Sequence, residues 1–285
     1  MPTISIDELE IIKVNGSESE VTFDELAAEE PLEIRLEYGD KDNRRVKNIS
    51  VTMRTPGNDV ELATGFLFTE GIVNNVEDIV LAEPLQISCD EDKENTILIS
   101  LREGVEPKLG NADRNFYTTS SCGVCGKSSI NAIRTVNNYA AVEGQGQIKA
   151  DVLYTLPVIL RKHQDLFDHT GGLHASALFS TDGEFLLVRE DVGRHNALDK
   201  LIGAALQKVW LPLQSQVLLL SGRASFELIQ KAAMAGIRII ASVGAPSTLA
   251  VETARSFGIT LAGFLRGRRF NIYTSSHRIL RAPEL

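Results

Sequence analysis

From about residue 155 to residue 264 the chain alternates helical periodicity with short apolar runs, and this alternation restricts its fold more than any other feature. Val217 to Leu220, Ile237 to Val243 and Ile259 to Phe264 lack the polar-apolar beat of half-exposed strands. Runs of that kind suit strands covered on both faces, as in a largely parallel sheet flanked by helices. A helix is predicted to open at Thr155-Leu156-Pro157 with Thr155 as its cap, its apolar face continuing through Leu166 and Phe167. Another carries Leu198, Leu201, Ile202, Leu206 and Val209 on one face, and two more start at Ser225 and Ser247. Leu173 to Phe179 and Phe185 to Val188, joined by Thr181-Asp182-Gly183, read as a hairpin. The C-terminal part is therefore expected to be an α/β domain.

The N-terminal part reads differently. Leu32 to Leu36, Ile49 to Met53 and Thr96 to Leu101 are predicted strands, and Asp59 opens a helix that Gly71 stops. Residues 103 to 121 are rich in Gly, Pro, Asn and Ser and read as a linker or long loop. A boundary near residue 112 divides the chain into an N-terminal α+β part, 1–112, and an α/β domain, 113–285. With 285 residues, 43% of them hydrophobic, the chain can bury a sizeable core. Nothing approaches the roughly 18 consecutive apolar residues of a membrane span, and the first residues lack the basic start and apolar run of a signal peptide, so the expected location is the cytoplasm.

Charge narrows the ligand. A net charge of −9 argues against generic nucleic-acid binding. Residues 1 to 40 hold twelve acids against Lys13 and Arg35, whereas residues 253 to 283 contain no acid and six arginines. A small anion can bind such a local basic region without net basicity. The predicted strands also lead into Gly-, Ser- and Arg-rich loops: Arg189 to Asn196, Ser221-Gly222-Arg223-Ala224-Ser225, Gly244 to Thr248, and Arg266-Gly267-Arg268-Arg269. Open α/β sheets bind ligands at this edge, where helix N-termini present free N–H groups and Arg supplies paired donors for phosphate. Ordinary turn chemistry explains any one loop, but four on one edge point to a phosphate-bearing ligand. His174, inside Thr170-Gly171-Gly172-Leu173-His174-Ala175-Ser176, and His195, at a predicted helix start, suit acid/base or phosphate-binding roles, although an isolated histidine is usually structural.

The most informative segment is Ser121-Cys122-Gly123-Val124-Cys125-Gly126-Lys127-Ser128. Three cysteines, an odd number, are too few for a disulfide framework and are expected as thiols. Lys127 and a helix predicted to begin near Ser128 favour thiolate at Cys122 and Cys125, while the acids after Cys89 disfavour it there. A thiolate on a glycine-flanked loop suits sulfur exchange with another protein. Other readings fit less well. A thioredoxin-like motif belongs near an opening βαβ unit, and the preceding Asn111 to Thr119 is polar. A zinc site lacks a second CxxC, and the zinc deaminase pattern requires an H-x-E that His174-Ala175-Ser176 does not provide. Gly126-Lys127-Ser128 resembles a P-loop ending without its first glycine or its strand.

Taken together, Thr64-Gly65-Phe66-Leu67-Phe68-Thr69-Glu70-Gly71, the Cys122 to Lys127 loop, Thr170 to His174, Arg189 to Lys200, Ser221-Gly222-Arg223 and Arg269 to Thr274 resemble the formate dehydrogenase accessory proteins, the FdhD/NarQ family. The resemblance implies a sulfurtransferase that accepts persulfide sulfur from a cysteine desulfurase and passes it to the molybdenum cofactor of formate dehydrogenase. It implies a cytidine-deaminase-like α/β/α domain with a mixed, largely parallel sheet and no zinc, a smaller N-terminal part, and a homodimer. The bound substrate it implies is molybdenum bis(molybdopterin guanine dinucleotide). In this chain the persulfide maps to Cys122, with Cys125 assisting release, and the cofactor segment to Phe264, Leu265, Arg266, Gly267, Arg268 and Arg269. Gly222, Arg223 and His195 join that edge. A cofactor chaperone without sulfur chemistry is the alternative.

Overall fold

The computed structural model describes residues 5–84, 95–109, 139 and 146–281. Cys89, Cys122, Cys125, the helix predicted near Ser128 and the boundary near 112 lie outside these residues.

The larger layer is a six-stranded mixed sheet in the order β13-β12-β11-β10-β8-β9. Its strands are β8 (His174–Ser180), β9 (Phe185–Asp191), β10 (Gln216–Leu220), β11 (Ile239–Ser242), β12 (Thr260–Arg266) and β13 (Arg269–Thr274). Parallel pairing joins β10 to β11 and β11 to β12, and the flanking pairs are antiparallel. The sheet is thus mixed, as expected, but parallel only at its centre, because the β8–β9 and β12–β13 connections are short hairpins rather than helical crossovers. Helices cover both faces. Leu153, Leu156 and Leu160 of α2 (Ala150–Arg161) pack with Ala177, Phe179, Val217 and Leu219 on one face. Helices α4 (Arg194–Gln207), α5 (Phe226–Met234) and α6 (Thr248–Ser256) pack with Leu178, Leu218, Leu220 and Ile240 on the other. Alternate residues of β10 serve opposite cores, which explains its continuous apolar run.

Ser247 caps α6 by accepting from the Ala250 N–H, and Ser225 occupies the N-cap position of α5. The helix predicted from Thr155 instead begins at Ala150. Pro157 lies inside it, and Thr155 donates its hydroxyl proton to the Val152 carbonyl. Leu166 and Phe167 belong to a separate short helix, α3 (Asp165–Thr170), whose first N–H groups are received by the Glu190 carboxylate at 3.1 Å.

The N-terminal part is a four-stranded sheet in the order β4-β3-β6-β5. It comprises β3 (Glu30–Tyr38), β4 (Arg45–Arg54), β5 (Ile79–Pro84) and β6 (Thr96–Leu101), with α1 (Asp59–Thr69) packed on it through Leu62 and Leu67. A hairpin of β1 (Ile6–Asn15) and β2 (Glu18–Ala27) precedes it, and a short parallel pair joins β7 (Ile148–Lys149) to β14 (Ile279–Leu280).

The other side of α1 lies on α4. A Cβ on Gly65 would sit 1.9 Å from the Asp199 carbonyl oxygen, and one on Gly203 1.9 Å from that of Glu61, so glycine at both positions sets the helix separation. Charged groups surround this contact. Lys231 Nζ donates to Thr69 Oγ1 and Asp199 Oδ2 at 2.9 Å and to Glu70 Oε1 at 3.2 Å. Burial opposes its charge, but Asp199 and Glu70 together outweigh burial and raise the ammonium above its ordinary value. Lys200 donates at 2.7 Å to both Asp191 Oδ2 and the Thr55 carbonyl, and Asp191 Oδ2 accepts from the Thr55 N–H at 3.1 Å. Asn196 donates to the Met53 carbonyl at 2.7 Å.

Candidate functional site

Because β8 runs against both of its neighbours, its first residue, His174, pairs with Asp191, the last residue of β9. The carboxyl ends of β9, β10 and β11 and the start of β8 therefore form one edge. The loops along it are tied by backbone bonds. Gly244 N–H donates to the Gly222 carbonyl at 3.0 Å, Phe264 N–H to the Gly244 carbonyl at 3.1 Å, and Ser247 N–H to the Ala224 carbonyl at 3.0 Å. A Cβ on Gly244 would stand 2.9 Å from Arg223 N and the Gly222 oxygen, so the loops can approach this closely only around glycine.

His195 lies where α4 and α5 begin. Its Nε2 is 2.9 Å from Glu227 Oε2 and 3.3 Å from Ser225 Oγ. The side chain is buried, and neither its Nδ1 nor the Nε of Arg194 has a hydrogen-bond partner among the described residues. A buried polar atom left unpaired is costly. His174 stands close by. Burial first, then the charges of Arg194 and His195 and, more weakly, Arg223, push its pKa below the ordinary 6.5, with Asp191 pulling the other way. Cationic groups and helix N-termini thus converge on one half-buried spot.

The predicted cofactor segment follows along the same edge. Phe264 is 42% exposed and holds a left-handed backbone, with φ 56°, at an irregularity in the β12–β13 register. That conformation is uncommon for a bulky residue and gathers at functional sites. Leu265 is buried in the core beneath α2, so its part is to anchor the segment. Arg266, Gly267, Arg268 and Arg269 form the exposed hairpin tip. Arg268 is 3.6 Å from Asp151, with both side chains largely in solvent, and its guanidinium lies 5.8 Å from the Tyr154 ring centre. The structure brings Gly222, Arg223, His174 and His195 together, and a ladder through Gly244 links them to Phe264.

Glu227 and Arg194 complete this arrangement, and neither was singled out from the sequence. The Glu227 contact with His195 spans 32 positions and leaves no local pattern, whereas Arg194 stood within a recognised loop. Cys122 and Cys125 are outside the described residues. Among the described residues no group of three or more His, Cys, Asp or Glu is placed to hold a metal ion, and no helix is long and apolar enough to cross a membrane.

The sequence profile of the FdhD/NarQ family matches residues 27–280. A protein of Mycolicibacterium paratuberculosis named "Sulfur carrier protein FdhD" is 51% identical over 258 residues, covering 89% of this chain and 91% of the relative. Proteins of the same name from Streptomyces coelicolor and Picrophilus torridus are 46% and 41% identical, covering 94% and 93% of this chain and 94% and 95% of their own lengths. The crystal structure of a protein assigned as a formate dehydrogenase accessory protein from Desulfotalea psychrophila shares the fold. It superposes with a TM-score of 0.70 at 21% identity over 97% of this chain and 100% of that one.

Proposed function

The chain belongs to the FdhD/NarQ family, and from that premise we propose that it is a sulfur carrier protein serving formate dehydrogenase. The observation that carries this reading is the match to relatives named sulfur carriers over nearly the whole chain, in a sequence that holds two cysteines at CxxC spacing, Cys122 and Cys125.

In the proposed mechanism the Cys122 thiolate attacks the terminal sulfur of a persulfide on a cysteine desulfurase. The donor S–S bond breaks, the desulfurase cysteine leaves as thiolate, and Cys122 keeps the sulfur as its own persulfide. Cys125 thiolate then attacks the inner sulfur. The outer sulfur leaves as sulfide to the metal of the substrate, molybdenum bis(molybdopterin guanine dinucleotide), and a Cys122–Cys125 disulfide remains for a dithiol reductant to reopen. The two electrons that reduce the persulfide sulfur to sulfide come from this dithiol oxidation, so the transfer balances.

The substrate's phosphates are assigned to the carboxyl edge, where Arg223, Arg266, Arg268 and Arg269 offer charge and Gly222, Gly244 and Gly267 offer close approach to backbone. His195, held through Nε2 by Glu227, is assigned to the same edge. The reading includes a homodimer acting in the cytoplasm, a cytidine-deaminase-like fold for residues 113–285, an N-terminal α+β part over 1–112, and no bound zinc. The test is intact-mass analysis of the purified chain after incubation with a cysteine desulfurase and cysteine. Gain of one sulfur atom, removed by dithiothreitol, supports the carrier. An unchanged mass, with guanine nucleotide still bound, leaves a cofactor chaperone without sulfur chemistry.

A further inference from the structure

Thr55 is fully buried at the end of β4, and its N–H, hydroxyl oxygen and carbonyl all reach across to one short segment of the larger domain. Its N–H donates to Asp191 Oδ2 at 3.1 Å, its Oγ1 accepts from the Val192 N–H at 3.1 Å, and its carbonyl accepts from Lys200 Nζ at 2.7 Å. The chain is held on its other side too, because the preceding Arg54 donates to both Asp59 carboxylate oxygens at 3.0 Å.

The segment that Thr55 meets is the turn from β9 into α4, which consists of Val192 and Gly193 alone. Outside a ladder or a helix, N–H groups shielded from water need partners. Here Thr55 Oγ1 receives the first, and Asp191 Oδ1 receives the second at 2.7 Å. The next two residues are Arg194 and His195, so the path of this turn sets where both project, and Glu227 then holds His195 through Nε2 at 2.9 Å. Joining the two sheets is already the work of α1 on α4 and of Lys231 with Asp199 and Thr69. The bond to the Thr55 hydroxyl comes from the turn instead. We infer that Thr55 is a positioning residue of the substrate edge: by fixing the Asp191-Val192-Gly193 turn it places Arg194 and His195 there. The inference rests on the assignment of the substrate's phosphates to this edge, and it adds that the N-terminal part shapes a site otherwise built by the larger domain. Sites of this kind work only when the residues behind them hold the geometry.

Thr55→Val and Thr55→Ala remove the acceptor, the first keeping the side chain's size, and Thr55→Ser retains it. Calorimetry with GDP, a fragment of the proposed substrate, and amide hydrogen exchange are read on the full chain. Both acceptor-less variants are expected to weaken GDP about tenfold, while Thr55→Ser stays within about twofold of wild type. Exchange at Val192 and Gly193 is expected to quicken about tenfold or more in Thr55→Val, with the β10 amides still protected. Added to His195→Ala, Thr55→Val is expected to weaken GDP no further, because the two act as one unit. Wild-type GDP affinity in Thr55→Val, an equal loss in Thr55→Ser, or a loss that adds in full to that of His195→Ala overturns the proposal. A wild type without GDP affinity removes the edge assignment and this inference with it, whereas sulfur loading on the same samples reports on the carrier reading alone.

Discussion

Two regions of this molecule are dense in charged and polar residues, and they treat them in opposite ways. At the junction of α1 with α4, Lys231, Asp199, Glu70 and Thr69 bond one another, and Lys200, Asp191, Asn196 and Thr55 do the same. At the carboxyl edge His195 Nδ1 and Arg194 Nε have no hydrogen-bond partner among the described residues, Arg223 and the arginines of the hairpin point to solvent, and His174 is held toward its neutral form. Both regions draw on the same segments, for Arg189 to Lys200 supplies Asp191, Asp199 and Lys200 to the first and Arg194 and His195 to the second. Paired groups hold the two sheets together, whereas the edge keeps its arginines in solvent and two buried nitrogens without partners among the described residues.

The sharpest way to break this comparison is at the glycine crossing. Gly65→Leu is expected to cost about 5 kcal/mol or more, because its side chain would occupy the space of the α4 backbone. Chemical denaturation checks this, and a loss under about 1 kcal/mol would mean that the helices are not so closely held. Asp199→Ala is expected to cost about 3–5 kcal/mol because Lys231 keeps only the more distant and more exposed Glu70 as counter-ion, with Asp199→Leu/Lys231→Met recovering much of it. A double variant no more stable than the single one removes the ion pair from the account. At the edge the expectation reverses. Arg269→Ala is expected to leave unfolding within about 0.5 kcal/mol of wild type while weakening GDP, a fragment of the proposed substrate, by about 1.5–3 kcal/mol in calorimetry. Equal GDP affinity in the variant and the wild type would place the phosphates elsewhere.

The smallest effect is a titration. His174 is expected to titrate below 6.5 by NMR, and Arg194→Gln to bring it only part of the way back, since burial is the larger cause. A lowered histidine pKa means that the unfolded chain binds the proton more readily. The stability contribution is therefore full above 6.5 and is lost as pH falls through the lower folded value. A titration at or above 6.5 contradicts the description of this edge as half-buried and cationic.

Much of the larger domain was legible because its local signals agree with its packing. Ser225 and Ser247 mark helix starts, Thr181-Asp182-Gly183 joins β8 to β9, and the run Val217 to Leu220 is buried on both sides. Pro157 misled because proline favours a helix's first turn, yet the apolar series of α2 extends back to Leu153. β1 and β2 gave no clear alternation because their apolar residues face solvent and mix with acids on both faces. At the site, the glycine and arginine loops could be read along the chain. The bond from His195 to Glu227 could not, because it exists only once α4 and α5 lie side by side.

Sulfur is proposed to travel on Cys122, with Cys125 driving its release and the rest of the chain holding and positioning. Intact mass after desulfurase treatment, read on wild type, Cys122→Ala and Cys125→Ala with their unfolding midpoints, tests it most directly. The account predicts one added sulfur on wild type, none on Cys122→Ala, loading with impaired release on Cys125→Ala, and similar midpoints for all three. Full sulfur loading of a folded Cys122→Ala chain contradicts it.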